Sequence, residues 1–344
     1  MSHQVRTTIV ISGSISVFVV VYFTTTRPNW PNFTTNSYSQ SLNYSNTSQS
    51  FSECNYVGFS IPTTGNGLGN HLFYYSGVLY VAWRTGRRPC IWLKLHEKVP
   101  RHIDEVFDID LEYIDVSTFS CPYHTFKQKG VYVYDKQVES LIHVNDSEAL
   151  WLTGAFASWK YTNPIATQLR RLLRFRQELT DFVVGFLMRN VPPGWTSLKF
   201  VRVGVHVRRG DFLLAWARST GFTTADERYL QRAMNYFVER FPRVQFIVAS
   251  NDIQWCQKHI NVSEFNKTNV DITFSVGHNT GEDLALLSSC DHTIMTTGTY
   301  SWWIACLANG ITVYYANFPK PGSWLSTQIR SNEFYHPDWV GIGD

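Results

Sequence analysis

Val201-Arg202-Val203-Gly204-Val205-His206-Val207-Arg208-Arg209-Gly210-Asp211-Phe212 is the stretch that decides the fold. Its alternating apolar residues, Val201 to Val207, predict a buried strand of period two. That strand delivers two adjacent guanidiniums, a glycine and a carboxylate. In an open α/β sheet, ligands bind beyond the carboxyl ends of the strands. Two arginines placed there can clamp a diphosphate through bidentate, charge-assisted hydrogen bonds. An isolated Arg-Arg pair is ordinarily a solvated basic turn; the flanking strand, His206 and the motifs downstream favour a ligand site. Arg209-Gly210-Asp211 closes a core strand rather than tipping a loop, which sets aside an adhesion-ligand reading.

Downstream, strands and helices alternate. Strands are predicted at Val244–Ala249, Asp271–Val276, His292–Thr296 and Ile311–Tyr315. Between them the pattern predicts helices over Asp226–Phe241, with Leu230, Met234, Phe237 and Phe241 on one stripe, near Ile253–His259, over Glu282–Cys290 and over Tyr300–Leu307. Thr280 is the expected cap of the third, with Asp283 as a weaker capping-box acid. Such alternation implies right-handed crossovers and a mainly parallel, doubly wound sheet. Upstream, Gly58–Ile61 and Cys90–Leu95 read as strands around an apolar helix, His71–Trp83, and Arg170–Arg189 as a further helix. Pro192-Pro193-Gly194 is the candidate linker. The expected fold class is therefore α/β, with two Rossmann-like domains facing a cleft, at residues 55–194 and 195–344.

The chain has 344 residues and six cysteines. Thr8 to Phe23 carries no charge and, with its neighbours, reaches about the 17–20 residues that span a bilayer core. A cleaved signal peptide is the rival, but no small-X-small site closes the run. The expectation is a tail at residues 1–7, an anchor at 8–25 and a stem at 26–54, the stem being rich in Ser, Thr and Asn. Glycosylation sequons fall at Asn32, Asn43, Asn46, Asn145, Asn261 and Asn266. Six cysteines fit an oxidising lumen, their pairing left open, and no Cys-X-X-Cys points to zinc. A type II Golgi membrane protein with a lumenal body is the consistent reading. The remaining body, about 290 residues, is enough for two domains, and a net charge of +3 leaves no nucleic-acid footprint.

His206-Val207-Arg208-Arg209-Gly210-Asp211 resembles the His-X-Arg-Arg-X-Asp signature of the galactoside α1,2-fucosyltransferases, glycosyltransferase family 11. Asp283 to Leu287, His292 to Trp303, Ser250-Asn251, Trp255-Cys256 and Pro337 to Ile342 are similar to later blocks of that family. Gly65-Asn66-Gly67-Leu68-Gly69-Asn70-His71 resembles its Gly-Arg-Leu-Gly-Asn-Gln block. Asn66, Gly67 and His71 depart from it, leaving Leu68, Gly69 and Asn70 as the matched core of a cleft loop.

The resemblance implies a GT-B architecture, GDP-fucose as donor, a galactose-terminated glycan as acceptor and inversion at the anomeric carbon. Without a metal, arginines and helix amino termini must stabilise the departing diphosphate. Arg208 and Asp211 are the candidate catalytic residues, and His206, Arg208, Arg209, Asp283, Thr297, Gly298, Thr299 and Ser301 the candidate donor contacts. Asp211 is the first candidate for general base, or else it only orients an arginine; His206 and His71 are weaker candidates. Asp283 either accepts from guanine or ribose or merely starts a helix. Asp108-Ile109-Asp110 fits a metal-binding Asp-X-Asp by letter and is read as a solvated loop. Two alternatives remain open: another fucosyl linkage or acceptor, and a membrane-anchored relative that binds without turnover.

Overall fold

Two wholly parallel sheets make up the computed structural model, which describes residues 54–60, 67–93, 103–109, 112–261, 265 and 269–343. The expected tail and anchor, the stem up to residue 53, Asn32, Asn43, Asn46, Asn266, Gly65, Asn66 and Asp110 lie outside the described residues. No helix among the described residues is long and apolar enough to cross a membrane.

The first sheet contains β1 (Tyr56–Phe59), β2 (Arg88–Leu93), β3 (Tyr113–Asp115), β4 (Tyr123–Lys127) and β5 (Ala149–Thr153), in the order β3-β2-β1-β5-β4. The second contains β6 (Val201–Val207), β7 (Val244–Ser250), β8 (Val270–Phe274), β9 (His292–Met295), β10 (Thr312–Tyr315) and β11 (Val340–Ile342), in the order β11-β10-β9-β6-β7-β8. From β6 the chain winds outward through β7 to β8, then returns to β9 on the other flank. The crevice between the carboxyl ends of β6 and β9 is therefore the topological switch point, where such sheets bind ligands.

Five helices of the described residues matter below: α1 (Leu68–Thr85), α2 (Gln177–Arg189), α3 (Glu227–Val238), α4 (Thr280–Ser288) and α5 (Thr299–Ala308). α1 is apolar almost all round, because it is covered on more than one side. Phe73 packs its ring 4.7 Å from Trp302 and 5.1 Å from Trp303 of α5. Elsewhere on α1, Gly77 lies so close to the Phe156 ring that a Cβ would sit 2.5 Å from it. Gly86 ends the helix in the left-handed region at φ 72°, its N–H donating to the Ala82 carbonyl. One contiguous apolar core consequently runs through both sheets. The carboxyl-terminal segment also returns to the first sheet's side: Lys160 pairs with Glu333 at 3.0 Å, and the Trp159 indole donates to the Asn332 carbonyl at 2.9 Å.

Several expected elements differ in detail. Arg170–Arg189 is not one helix: Ala166–Leu172 ends at Leu173 (ψ 62°), and α2 starts at Gln177. Between them Phe175 bridges to Phe107, and the Arg174 carbonyl accepts from the Asp108 N–H at 2.7 Å, so tertiary contacts override a helical pattern. The cap of α4 is Asn279, not Thr280. Its side chain accepts from Gly281 and Glu282 N–H groups, and Glu282 closes the capping box in place of Asp283. Asp283 is thereby released from capping. The cysteines form one disulfide among the described residues, Cys54–Cys121, while Cys90, Cys256, Cys290 and Cys306 are free thiols.

Candidate donor site

β6 buries Val203, Val205 and Val207 completely on one face, with Gly204 and His206 on the other. Gly204 is needed there: a Cβ would lie 2.9 Å from the Leu287 carbonyl oxygen of α4. Beyond Val207 the loop is fixed by its neighbours. Thr296 accepts from the Arg208 N–H at 2.9 Å through Oγ1, and Asn251 accepts from the Arg209 N–H at 2.9 Å through Oδ1. Gly210 lets Asn251 approach so closely that any side chain would collide with its amide.

The two guanidiniums have different surroundings. Arg209 is held on three sides: Nε lies 3.4 Å from Asp252, NH1 donates to the Ala225 carbonyl at 3.4 Å, and the group stacks 3.8 Å over the Trp255 ring. Its side chain is only 14% exposed. Arg208 is 35% exposed and makes one ion pair, 2.8 Å to Asp211, over the Phe212 ring at 5.4 Å. The open cation at the switch point is Arg208, and Arg209 braces the loop that presents it. Asp211 accepts from Arg208 through Oδ2, and its Oδ1 lies 3.4 Å from the Asn251 amide nitrogen.

His206 and Ser301 lie beneath this surface. Their side chains bond to each other at 2.6 Å, and Ser301 Oγ also lies 3.1 Å from the Thr297 carbonyl, an arrangement in which a hydroxyl donating to that carbonyl accepts from a protonated His206 Nδ1. Burial and then the Arg208 charge push the imidazole down to about 3, which keeps it neutral. Both side chains are buried and support the loop from behind. Thr297 is buried as well, its hydroxyl 3.4 Å from the Thr223 carbonyl.

Two helix amino termini meet beside Arg208. α5 starts after Gly298, whose φ of 96° favours glycine, and α1 starts after Gly67. Both cap residues are glycines, and neither first turn holds an acid. They touch: a Cβ on Gly69 would lie 2.5 Å from the Tyr300 nitrogen, and the Thr299 hydroxyl donates to Asn70 Oδ1 at 2.8 Å. Leu68 is buried behind this contact. Converging N–H groups and dipole ends of this kind favour an anion.

Asp283 stands at the edge of the same region as a half-buried carboxylate. Burial raises it, while the Ser275 hydroxyl at 2.6 Å and nearby His278 pull it back. The Tyr300 hydroxyl, donating to the Thr280 carbonyl at 2.6 Å, lies in the fields of both Asp283 and Arg208.

Asn251, Trp255 and Tyr300 fall in blocks that resemble the family but have no site role in the sequence reading, and Asp252 and Ser275 fall outside those blocks; tertiary contacts bring all five to the site. His71 is buried within α1. Asp108 lies in an exposed pair with Arg174 at 3.7 Å. Of the sequons in described residues, Asn145 and Asn261 are both exposed.

Comparison with known proteins adds the family context. The sequence profile of Glycosyl transferase family 11 matches residues 122–343. Galactoside alpha-(1,2)-fucosyltransferase 1 of Rattus norvegicus is 34% identical over 285 residues, covering 81% of this chain and 72% of that protein. Galactoside alpha-(1,2)-fucosyltransferase 2 of Sus scrofa is 30% identical over 282 residues, covering 80% and 77% respectively. Among solved structures, a mutant of Arabidopsis thaliana FUT1 in complex with GDP shares the fold at 12% identity. Its TM-score is 0.51, covering 83% of this chain and 76% of that one.

Proposed function

Because the chain belongs to glycosyl transferase family 11, we propose that it transfers L-fucose from GDP-β-L-fucose to the 2-hydroxyl of a β-galactoside on a glycan. The observation that carries this reading is Arg208, an open guanidinium at the switch point beside two helix amino termini that begin at glycine caps. A departing GDP gains charge on its diphosphate, and preorganised donors at that position lower the barrier. Arg208 takes the diphosphate together with backbone N–H groups at the start of α5 and of α1 at Gly69; Gly298 and Thr299 shape that approach. Arg209, His206, Thr297 and Ser301 hold the clamp in place. Asp283 accepts from the guanine edge, the half-buried acceptor that a base with adjacent N–H donors requires.

Inversion needs the acceptor hydroxyl opposite the leaving diphosphate, with a group to take its proton. Asp211 is assigned that proton: it pairs with Arg208 before the donor arrives, and a guanidinium turned to the diphosphate leaves the carboxylate beside the reacting carbon. Transfer proceeds without a metal, the charge being met by Arg208 and the helix ends. Residues 195–344 hold the donor, and residues 55–194 supply the acceptor side.

We also place the body in the Golgi lumen, behind an anchor at residues 8–25 and a stem at 26–54. The uncharged apolar run, the exposed sequons at Asn145 and Asn261 and the Cys54–Cys121 disulfide support that placement. The test is an assay of the detergent-solubilised full chain with GDP-fucose and a panel of β-galactosides in chelator. An α1,2-fucosylated galactoside is the expected product. GDP binding with no transfer to any acceptor would overturn the enzymatic reading, and loss of transfer in chelator the metal-free one.

A further inference from the structure

Ser275 closes β8 and stands between two groups that no part of the phosphate clamp uses. Its Oγ donates to Asp283 Oδ1 at 2.6 Å and lies 2.7 Å from His278 Nδ1. A hydroxyl has a single proton. While that proton points to Asp283, Oγ can only accept from His278, so Nδ1 must carry hydrogen. The reverse arrangement puts a proton on Asp283 and turns the hydroxyl toward a bare Nδ1. The side chains thus form a relay with two states, and the histidine tautomer is coupled to the charge on the carboxylate.

His278 is well placed to hold one state. Its ring packs edge-on against Phe182 at 4.8 Å and Phe186 at 5.6 Å, both from α2, which fixes the ring plane and so the direction of Nδ1. The titratable groups that face Asp283 are His278 and its neighbour Glu282, with Tyr300, itself under the influence of Arg208, on the α5 side. The face of α2 that meets His278 contributes two phenylalanine rings there, neither of which titrates.

Guanine offers two adjacent N–H donors on one edge, at N1 and at the exocyclic amine. A carboxylate with both oxygens free to accept matches that edge, whereas a protonated carboxyl presents a donor to one of them. Resting on the reading that this site binds GDP, we propose that Ser275 and His278 are positioning residues that hold Asp283 as a pure acceptor and thereby set selectivity for guanine. They touch no substrate. Their effect passes through the direction of one hydroxyl.

The experiment titrates the full chain with GDP and with inosine diphosphate, which lacks the exocyclic amine, across the acid range. Wild type is expected to prefer GDP by about tenfold and to lose GDP as Asp283 takes up a proton. Ser275→Ala removes the bond that favours the carboxylate, so GDP binding is lost at a higher pH and the preference over inosine diphosphate shrinks towards unity. His278→Phe keeps a ring between Phe182 and Phe186 but has no N–H, and is expected to behave likewise. His278→Asn places an amide N–H near the Nδ1 position and is expected to restore the wild-type profile. Unchanged midpoints and preference in both Ser275→Ala and His278→Phe would overturn the relay while leaving GDP recognition intact. If Asp283→Asn leaves the GDP preference intact, the assignment of Asp283 to the base fails, and the relay with it. A wild-type chain that binds neither nucleotide would instead overturn the donor-site reading.

Discussion

Arg208 and Arg209 are adjacent in sequence, and their chemical identity alone gives them equal claim on a phosphate. Asp252, Trp255 and the Ala225 carbonyl break that symmetry, and all three arrive from elsewhere in the chain. This is why the motif was legible and the division of labour within it was not. Asp211 and Arg208 are three residues apart, so their ion pair was foreseeable as one of two uses for the carboxylate. Asp211→Asn separates the uses: a base predicts turnover reduced by about 10²–10⁴ with GDP affinity kept, whereas an orienting role predicts loss of both, read by single-turnover rate and by GDP titration. His206 makes a prediction about stability. Its folded pKa, about 3, lies below the unfolded value of 6.5, so the unfolded chain binds the extra proton. Stability is therefore lost as pH falls from 6.5 towards 3, by an amount on the order of a few kcal/mol. His206→Asn, which keeps an N–H near Ser301, is expected to flatten that part of the denaturation profile; an unchanged slope would mean that other groups set it.

At the scale of elements, legibility followed burial on both faces. β6, β7, β9 and β10 are short apolar runs flanked by turn residues, and periodicity places them within a residue or two. β4, with the sequence Tyr-His-Thr-Phe-Lys, is an edge strand exposed at most positions, and β3 and β11 are three residues each, so pattern carries almost no signal there. α1 was recognised as an apolar helix, but its true start at Leu68 reaches back into the glycine loop. That extension matters for function, because it brings the amino terminus of α1 against that of α5. Gly69→Ala tests the contact: the added methyl meets the Tyr300 nitrogen at 2.5 Å, backbone that cannot swing aside. The expected result is a loss of about 1–3 kcal/mol in stability together with weaker GDP binding, measured by denaturant titration and calorimetry. Retention of both would show that the two helix ends can part without consequence.

Across the whole molecule, each sheet is the centre of one α/β domain, as the sequence pattern predicts. The contacts of α1 with α5 and of α2 with His278 join the two through a shared apolar core, and the Lys160–Glu333 ion pair adds a polar link. None of these contacts has a local signature, since each pairs residues far apart in the chain. A shared core predicts one cooperative unfolding transition for the body, with far-ultraviolet dichroism and tryptophan fluorescence coinciding in denaturant; two resolved transitions would contradict it. The placement of a nucleotide at the β6–β9 crevice is the claim on which the functional reading depends. It is tested most directly by calorimetric titration of GDP into wild type, Arg208→Ala and Arg209→Ala. Arg208→Ala is expected to weaken GDP by about 100-fold with the melting temperature unchanged. Arg209→Ala is expected to lower the melting temperature first. Wild-type GDP affinity in Arg208→Ala would contradict the account.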